Sequence, residues 1–118
     1  GQQMKQVFAT FMRPDNRTGE GECFQVNRAV KAVYANDRRE LAALTINGQP
    51  VQDNQPYTIC IQGYHYKNSA KSMTLTNEQL TALDGSQVVA TSDRDVLEEY
   101  LRRHQNLSSA IEGRLLYR

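Results

Sequence analysis

The side chains that most often do chemistry near neutral pH are few. Two histidines, His65 and His104, and two cysteines, Cys23 and Cys60, occur in 118 residues. His65 stands in Gly63-Tyr64-His65-Tyr66, directly after an apolar stretch. Its imidazole titrates near neutrality and suits an acid, a base or a ligand contact, while a histidine between two tyrosines equally suits half-buried packing. His104 follows Arg102 and Arg103 at the end of an amphipathic stretch, where positive charge complements a helix C-terminus. Cys23 and Cys60 each sit in an apolar run. Buried free thiols are the expectation, with one disulfide as the alternative should the protein be exported.

Other chemistries are excluded by what is missing. A two-metal hydrolytic centre needs several Asp, His and Asn ligands converging on a pair of ions. The thirteen acidic residues are scattered, and no Asp-x-His pair occurs. Neither a Gly-x-Ser-x-Gly elbow, a His-Glu-x-x-His helix, a glycine-rich phosphate loop nor a Cys-x-x-Cys pair is present. The chain alone is therefore expected to be non-catalytic and to hold no metal or cofactor. The pairs Arg38-Arg39 and Arg102-Arg103 read as solvated charge. Among six tyrosines and three phenylalanines there are rings able to stack on a base, although most lie at positions expected to face a core.

The elements that must position these residues fit one domain spanning 1–118. The composition, 39% hydrophobic and 23% charged, is that of a globular chain. A formal net charge of +1 argues against a nucleic-acid partner gripped through many phosphates. No apolar run approaches the roughly 18 residues of a membrane span. Met4, Val7, Phe8 and Phe11 recur at helical spacing, predicting a helix over 3–12 that Pro14 and a polar loop end. Strands are expected at 22–26, 29–34 and 41–46, and Asn47-Gly48 is a two-residue turn. Residues 57–61, Tyr-Thr-Ile-Cys-Ile, have the strongest strand composition. The stretch 62–73 has no clean period. Thr76 with Gln79 has capping-box spacing and opens a helix to about residue 83, which Asp84-Gly85 stops. A short strand follows at 88–90. Ser92 caps a further helix to about His104, with Val96, Leu97, Tyr100 and Leu101 as its apolar stripe. A strand over 111–117 closes the chain. The sum is an α+β domain with a mixed or antiparallel sheet and about three helices.

Several segments, in this order, carry a family resemblance. Met4-Lys5-Gln6-Val7-Phe8, Gly21-Glu22-Cys23-Phe24-Gln25-Val26, Ile46-Asn47-Gly48-Gln49-Pro50-Val51 with Pro56-Tyr57-Thr58-Ile59, Asp95 through Leu101, and Ile111-Glu112-Gly113-Arg114-Leu115 resemble motifs of the C-terminal domain of the 5′-nucleotidase family. That family includes UDP-sugar hydrolases and 2′,3′-cyclic-nucleotide phosphodiesterases. The resemblance implies the fold of that domain, N-terminally truncated. It also implies a role in binding a nucleotide or nucleoside, and a separate N-terminal metallophosphatase domain as partner, which would carry the divalent metals and the hydrolysis. A periplasmic, secreted or cell-surface location follows from the same likeness. One departure is visible. The family's Gly-Gly-Asp-Gly-aromatic segment, which carries a base-stacking ring, is replaced here by Tyr64-His65-Tyr66-Lys67-Asn68-Ser69. Tyr64 aligns with a position that is usually core, and Tyr66 is the ring placed to stand in for the missing stacker. The candidate substrate-binding residues are thus Tyr64, His65, Tyr66 and Asn68. With the other stacking strand absent from the chain, adenosine or AMP is expected to bind at millimolar or worse. The alternative is a non-catalytic interaction domain whose pocket has degenerated.

Overall fold

A computed structural model describes residues 1–18, 24–82 and 85–118. Helix α1, Gln2–Phe11, buries Val7, Phe8 and Phe11, the face its spacing predicted. Pro14 then begins a second short helix, α2, Pro14–Thr18, where a loop was expected. Proline at a first helical position lacks only an N–H that would be unsatisfied there, and the Thr18 hydroxyl donates back to the Pro14 carbonyl at 3.0 Å.

Four strands form one mixed sheet in the order β3-β2-β1-β4. β1, Val30–Ala35, pairs antiparallel with β2, Glu40–Ile46, and the register slips once, between Val33 and Tyr34. β2 turns through Asn47 and Gly48, both at positive φ, into β3, Gln49–Pro50. β4, Leu115–Tyr117, lies parallel to β1, with Ala32 opposite Leu115 and Tyr34 opposite Tyr117. The sheet's inward residues Ala32, Tyr34 and Leu44 meet α1, and Met12, Val51, Met73 and Leu75 complete the core.

Six helical segments occur among the described residues, not three. Two of the additional ones, α3, Gly63–Lys67, and α4, Ser69–Ser72, occupy the stretch that had no clean period. α5, Asn77–Thr81, carries the expected capping box with both bonds made, and α6, Asp93–Arg103, is capped by Ser92.

The expected strand at 57–61 is irregular instead. Strand composition becomes a strand only where the backbone pairs with a neighbour, and these residues pair with none of the four strands. The apolar content of 57–61 still reaches the core, through Tyr57 and Ile61. The Cys60 thiol is exposed, which overturns the expectation that it is buried. Cys23 lies outside the described residues, as does the first part of the strand expected at 22–26. Residues 24–26 are not a strand, although Phe24 and Val26 pack against the core. Residues 88–90 are likewise irregular, with Val88 and Val89 facing solvent. The closing strand begins only at Leu115 because Gly113, at φ +63°, interrupts extended backbone.

Candidate functional site

Helix α3 and its C-cap carry all four residues expected to bind substrate. Tyr64, His65 and Tyr66 lie on α3, and Asn68 ends it. The helix distributes them by its period. Tyr64 and Asn68 are four apart and share a face. The Tyr64 carbonyl accepts from both the Asn68 backbone amide, at 3.0 Å, and the Asn68 Nδ2, at 2.9 Å.

Their environments differ. Tyr64, expected to be core, is 61% exposed. His65 is half-buried and meets two rings edge-on, Phe24 at 4.7 Å and Tyr64 at 5.3 Å between centroids. Phe24 in turn meets Phe11 at 5.2 Å, and Phe11 meets Phe8 at 4.8 Å. A row of rings therefore runs from the core through His65 to the exposed Tyr64. Edge-to-face contacts of this kind add about 0.5–1.5 kcal/mol each beyond burial between aromatic rings. His65 is thus held as the joint between core and surface ring. Tyr66 is also half-buried, and its hydroxyl accepts from the Ser86 Oγ at 3.4 Å. That contact ties Tyr66 to the loop after α5.

Asn68 alone of the four lines an open recess, of about 360 Å³, shared with Lys67, Ser69, Lys71, Asn77 and Glu78. Its floor is fixed by the buried Ser69, whose hydroxyl donates to Asn77 Oδ1 at 2.8 Å. Glu78 is held below its ordinary pKa by the Thr76 side chain and then by its own backbone amide, so it is a carboxylate at neutral pH. Lys67 and Lys71, four apart, supply the positive charge beside Asn68. Sequence reading did not pick out Lys71 or Asn77. The lysines stand on two separate short helices, α3 and α4, broken at Asn68, so their four-residue spacing was no signal by itself.

A larger open recess, of about 460 Å³, lies around Arg28, Ala29, Lys31, Asn47 and Gly48 at the hairpin end. Arg28 there is already paired with Glu112 at 3.3 Å, and no aromatic ring lines it. The recess beside α3 is lined by two lysines and by Asn68, four residues after the exposed Tyr64, so it is the better candidate. Among the described residues no three His, Cys, Asp or Glu side chains come together in a way that could hold a metal ion. No described helix is long and apolar enough to cross a membrane. Compared with known proteins, the chain matches no family model, no curated protein and no solved structure.

Proposed function

We infer that the chain is a substrate-binding domain for nucleotide phosphate esters, of the kind that resembles the C-terminal domain of the 5′-nucleotidase family. Hydrolysis then belongs to a metallophosphatase domain elsewhere in the parent protein. The motif order gives this reading its family. The observation that carries it is the exposed Tyr64 ring, one helical turn before Asn68 and the lysine-lined recess. The ring offers a flat apolar face for a base, and Lys67 and Lys71 offer charge for a phosphate. His65 and Tyr66 hold the helix that presents them.

The expected affinity is low. Stacking on one ring is worth about 1–3 kcal/mol, and a micromolar site needs about 8 kcal/mol. The lysines are exposed, so salt screens them. The test is a titration of AMP and of adenosine into isotope-labelled protein, followed by NMR. Saturable shifts at Tyr64, Asn68 and Lys71 in the millimolar range are expected, tighter for AMP than for adenosine and lost in Tyr64→Ala. An absence of shifts at these residues with AMP at about 20 mM, well above a millimolar Kd, would overturn the reading.

A second reading, a non-catalytic interaction domain, is favoured by a different observation: the apolar stripe of α6 is exposed along its whole length.

A further inference from the structure

We propose that Asn47 is a site of self-modification: the Gly48 backbone nitrogen displaces its side-chain amide, and the carboxylate left behind neutralises the basic recess at the hairpin end. The inference is independent of the nucleotide reading and concerns the recess which that reading sets aside. Asparagine is among the thermolabile residues, and its surroundings decide which copy reacts. The side chains of Asn16, Asn27, Asn36, Asn68 and Asn77 are each held by a hydrogen bond. Those of Asn47, Asn54 and Asn106 make none among the described residues. Of these three, Asn47 alone is followed by glycine. A Cβ placed on Gly48 would have nothing within 4 Å, so the space beside its nitrogen is open. Among the described residues no backbone carbonyl accepts from the Gly48 N–H.

The turn supplies the freedom that the reaction needs. Asn47 and Gly48 stand at positive φ, 52° and 77°, in a two-residue turn. Beyond it β3 is only Gln49–Pro50, and both residues are exposed. Pro50 brings no N–H to the sheet. The chain is anchored again at the buried Val51, whose N–H donates to the Leu44 carbonyl at 3.0 Å. The turn therefore opens between Ile46 and Val51 without disturbing the core. In the opened turn a bond forms from Gly48 N to Asn47 Cγ and the Cγ–Nδ2 bond breaks. The Gly48 amide proton leaves with Nδ2 as ammonia. Water then opens the cyclic imide. Attack at Cγ gives aspartate, and attack at the main-chain carbonyl gives isoaspartate, with the chain running through Cβ and Cγ. Arg28 and Lys31 line the same recess as Asn47 and Gly48, and their charge favours the oxyanion through which the ring closes. Arg28 is already paired with Glu112 at 3.3 Å. Lys31 is the cation left for the new carboxylate, and the pair leaves the recess neutral. The formal net charge of the chain, +1, falls to zero.

The first test is incubation of the whole chain in mildly alkaline water enriched in heavy oxygen, followed by digestion and mass spectrometry. The peptide containing residue 47 should take up a heavy oxygen, the mark of imide opening by water, and should divide into aspartate and isoaspartate forms. Asn47 should convert about tenfold faster than Asn54 and Asn106, the ratio given by a barrier lower by about 1.4 kcal/mol. Lys31→Gln, at an exposed strand position, should slow the conversion, and Lys31→Arg should preserve it. The second test reads the product's surroundings. The new carboxyl in Asn47→Asp, followed by NMR, should titrate below the ordinary aspartate pKa of about 3.9, and adding Lys31→Gln should raise it again. Asn47 left unconverted, or converting no faster than Asn54 and Asn106, would overturn the proposal. A carboxyl in Asn47→Asp that titrates at or above the ordinary value would overturn the neutralisation of the recess.

Discussion

Glu112 and Arg114 face the same side of the chain across Gly113, and the Arg114 Nε donates to Glu112 Oε2 at 2.8 Å. The Glu112 carboxylate also takes Arg28 Nη2 at 3.3 Å, while Arg114 Nη1 donates to the Val26 carbonyl. Immediately afterwards the Arg114 carbonyl accepts from Ala32 N at 2.8 Å and β4 begins. The Ile-Glu-Gly-Arg-Leu segment is therefore a clamp that fastens the parallel edge strand to the loop before β1. Gly113 makes it possible, because its φ of +63° turns both long side chains toward that loop.

Substitutions at Gly113 separate backbone conformation from space. A Cβ there would have only Leu116 Cδ2 within 4 Å, at 3.7 Å, so no clash arises. Gly113→Ala should then cost about 1 kcal/mol for the left-handed conformation alone. Gly113→Val should cost more, since a β-branched residue is rarer still at positive φ. Gly113→Asn should recover part of the loss, because asparagine tolerates that region, as Asn47 already does at φ 52°. Denaturant midpoints read the series directly. Equal midpoints for Ala, Asn and Val would mean that Gly113 does not hold this conformation in solution.

How legible such features were depended on whether their cause was local. The Val7, Phe8 and Phe11 spacing, the Asn47-Gly48 turn and the Thr76 and Ser92 caps act within a few residues, and each stands where the sequence placed it. Residues 57–61 have strand composition, but whether a strand forms depends on pairing with a neighbour distant in the chain, and these residues pair with none of the four strands. The α6 pattern told which face is apolar, and it carried no information on whether the core would cover it. Near the candidate site, His65 and Tyr66 drew attention because their types are conspicuous, yet of the four expected residues Asn68 alone lines the recess. Lys71 and Asn77 drew none, since they stand on α4 and α5, each too short to show a period, and only the packing of the two helices brings them to one recess.

Acid stability should report the contact between α1 and the loop after β3. Lys5 Nζ donates to Asp53 Oδ1 at 2.6 Å. That bond, and then the charge of Lys5 itself, hold the Asp53 carboxyl below its ordinary pKa. A carboxyl depressed in the folded state stabilises the fold above its unfolded pKa, and that contribution is lost as the pH falls through the folded value. Asp53→Asn should therefore flatten the acid side of the stability curve and leave the curve above neutral pH nearly parallel to that of the wild type. The effect will be small and salt-sensitive, since both groups are exposed. Denaturation midpoints from about pH 2 to 8, spanning the carboxylate range, at low and high salt are the measurement. A steeper acid limb in the variant would reverse the assigned sign.

The two helix caps offer the sharpest contrast, because their hydrogen bonds are alike and their surroundings are not. Thr76 Oγ1 accepts from Gln79 N at 3.3 Å, and Gln79 Oε1 accepts from Thr76 N at 2.8 Å. Ser92 Oγ accepts from Asp95 N at 3.2 Å. Removing either hydroxyl should cost about 1 kcal/mol of helix stability. Thr76, however, follows the buried Leu75, and Leu80 of its helix packs against the core. Unfolding of α5 exposes core residues, so Thr76→Ala should lower the global denaturant midpoint by an amount matching that cost. α6 buries nothing, so it opens without disturbing the sheet, and the cost of Ser92→Ala is confined to it. Ser92→Ala should thus leave the midpoint unchanged while amide exchange along Val96, Leu97 and Tyr100 speeds up about fivefold, the factor that about 1 kcal/mol implies. Ser92→Asp, which keeps the acceptor, should restore protection. A midpoint that falls equally in both alanine variants would show α6 to be part of the cooperative core.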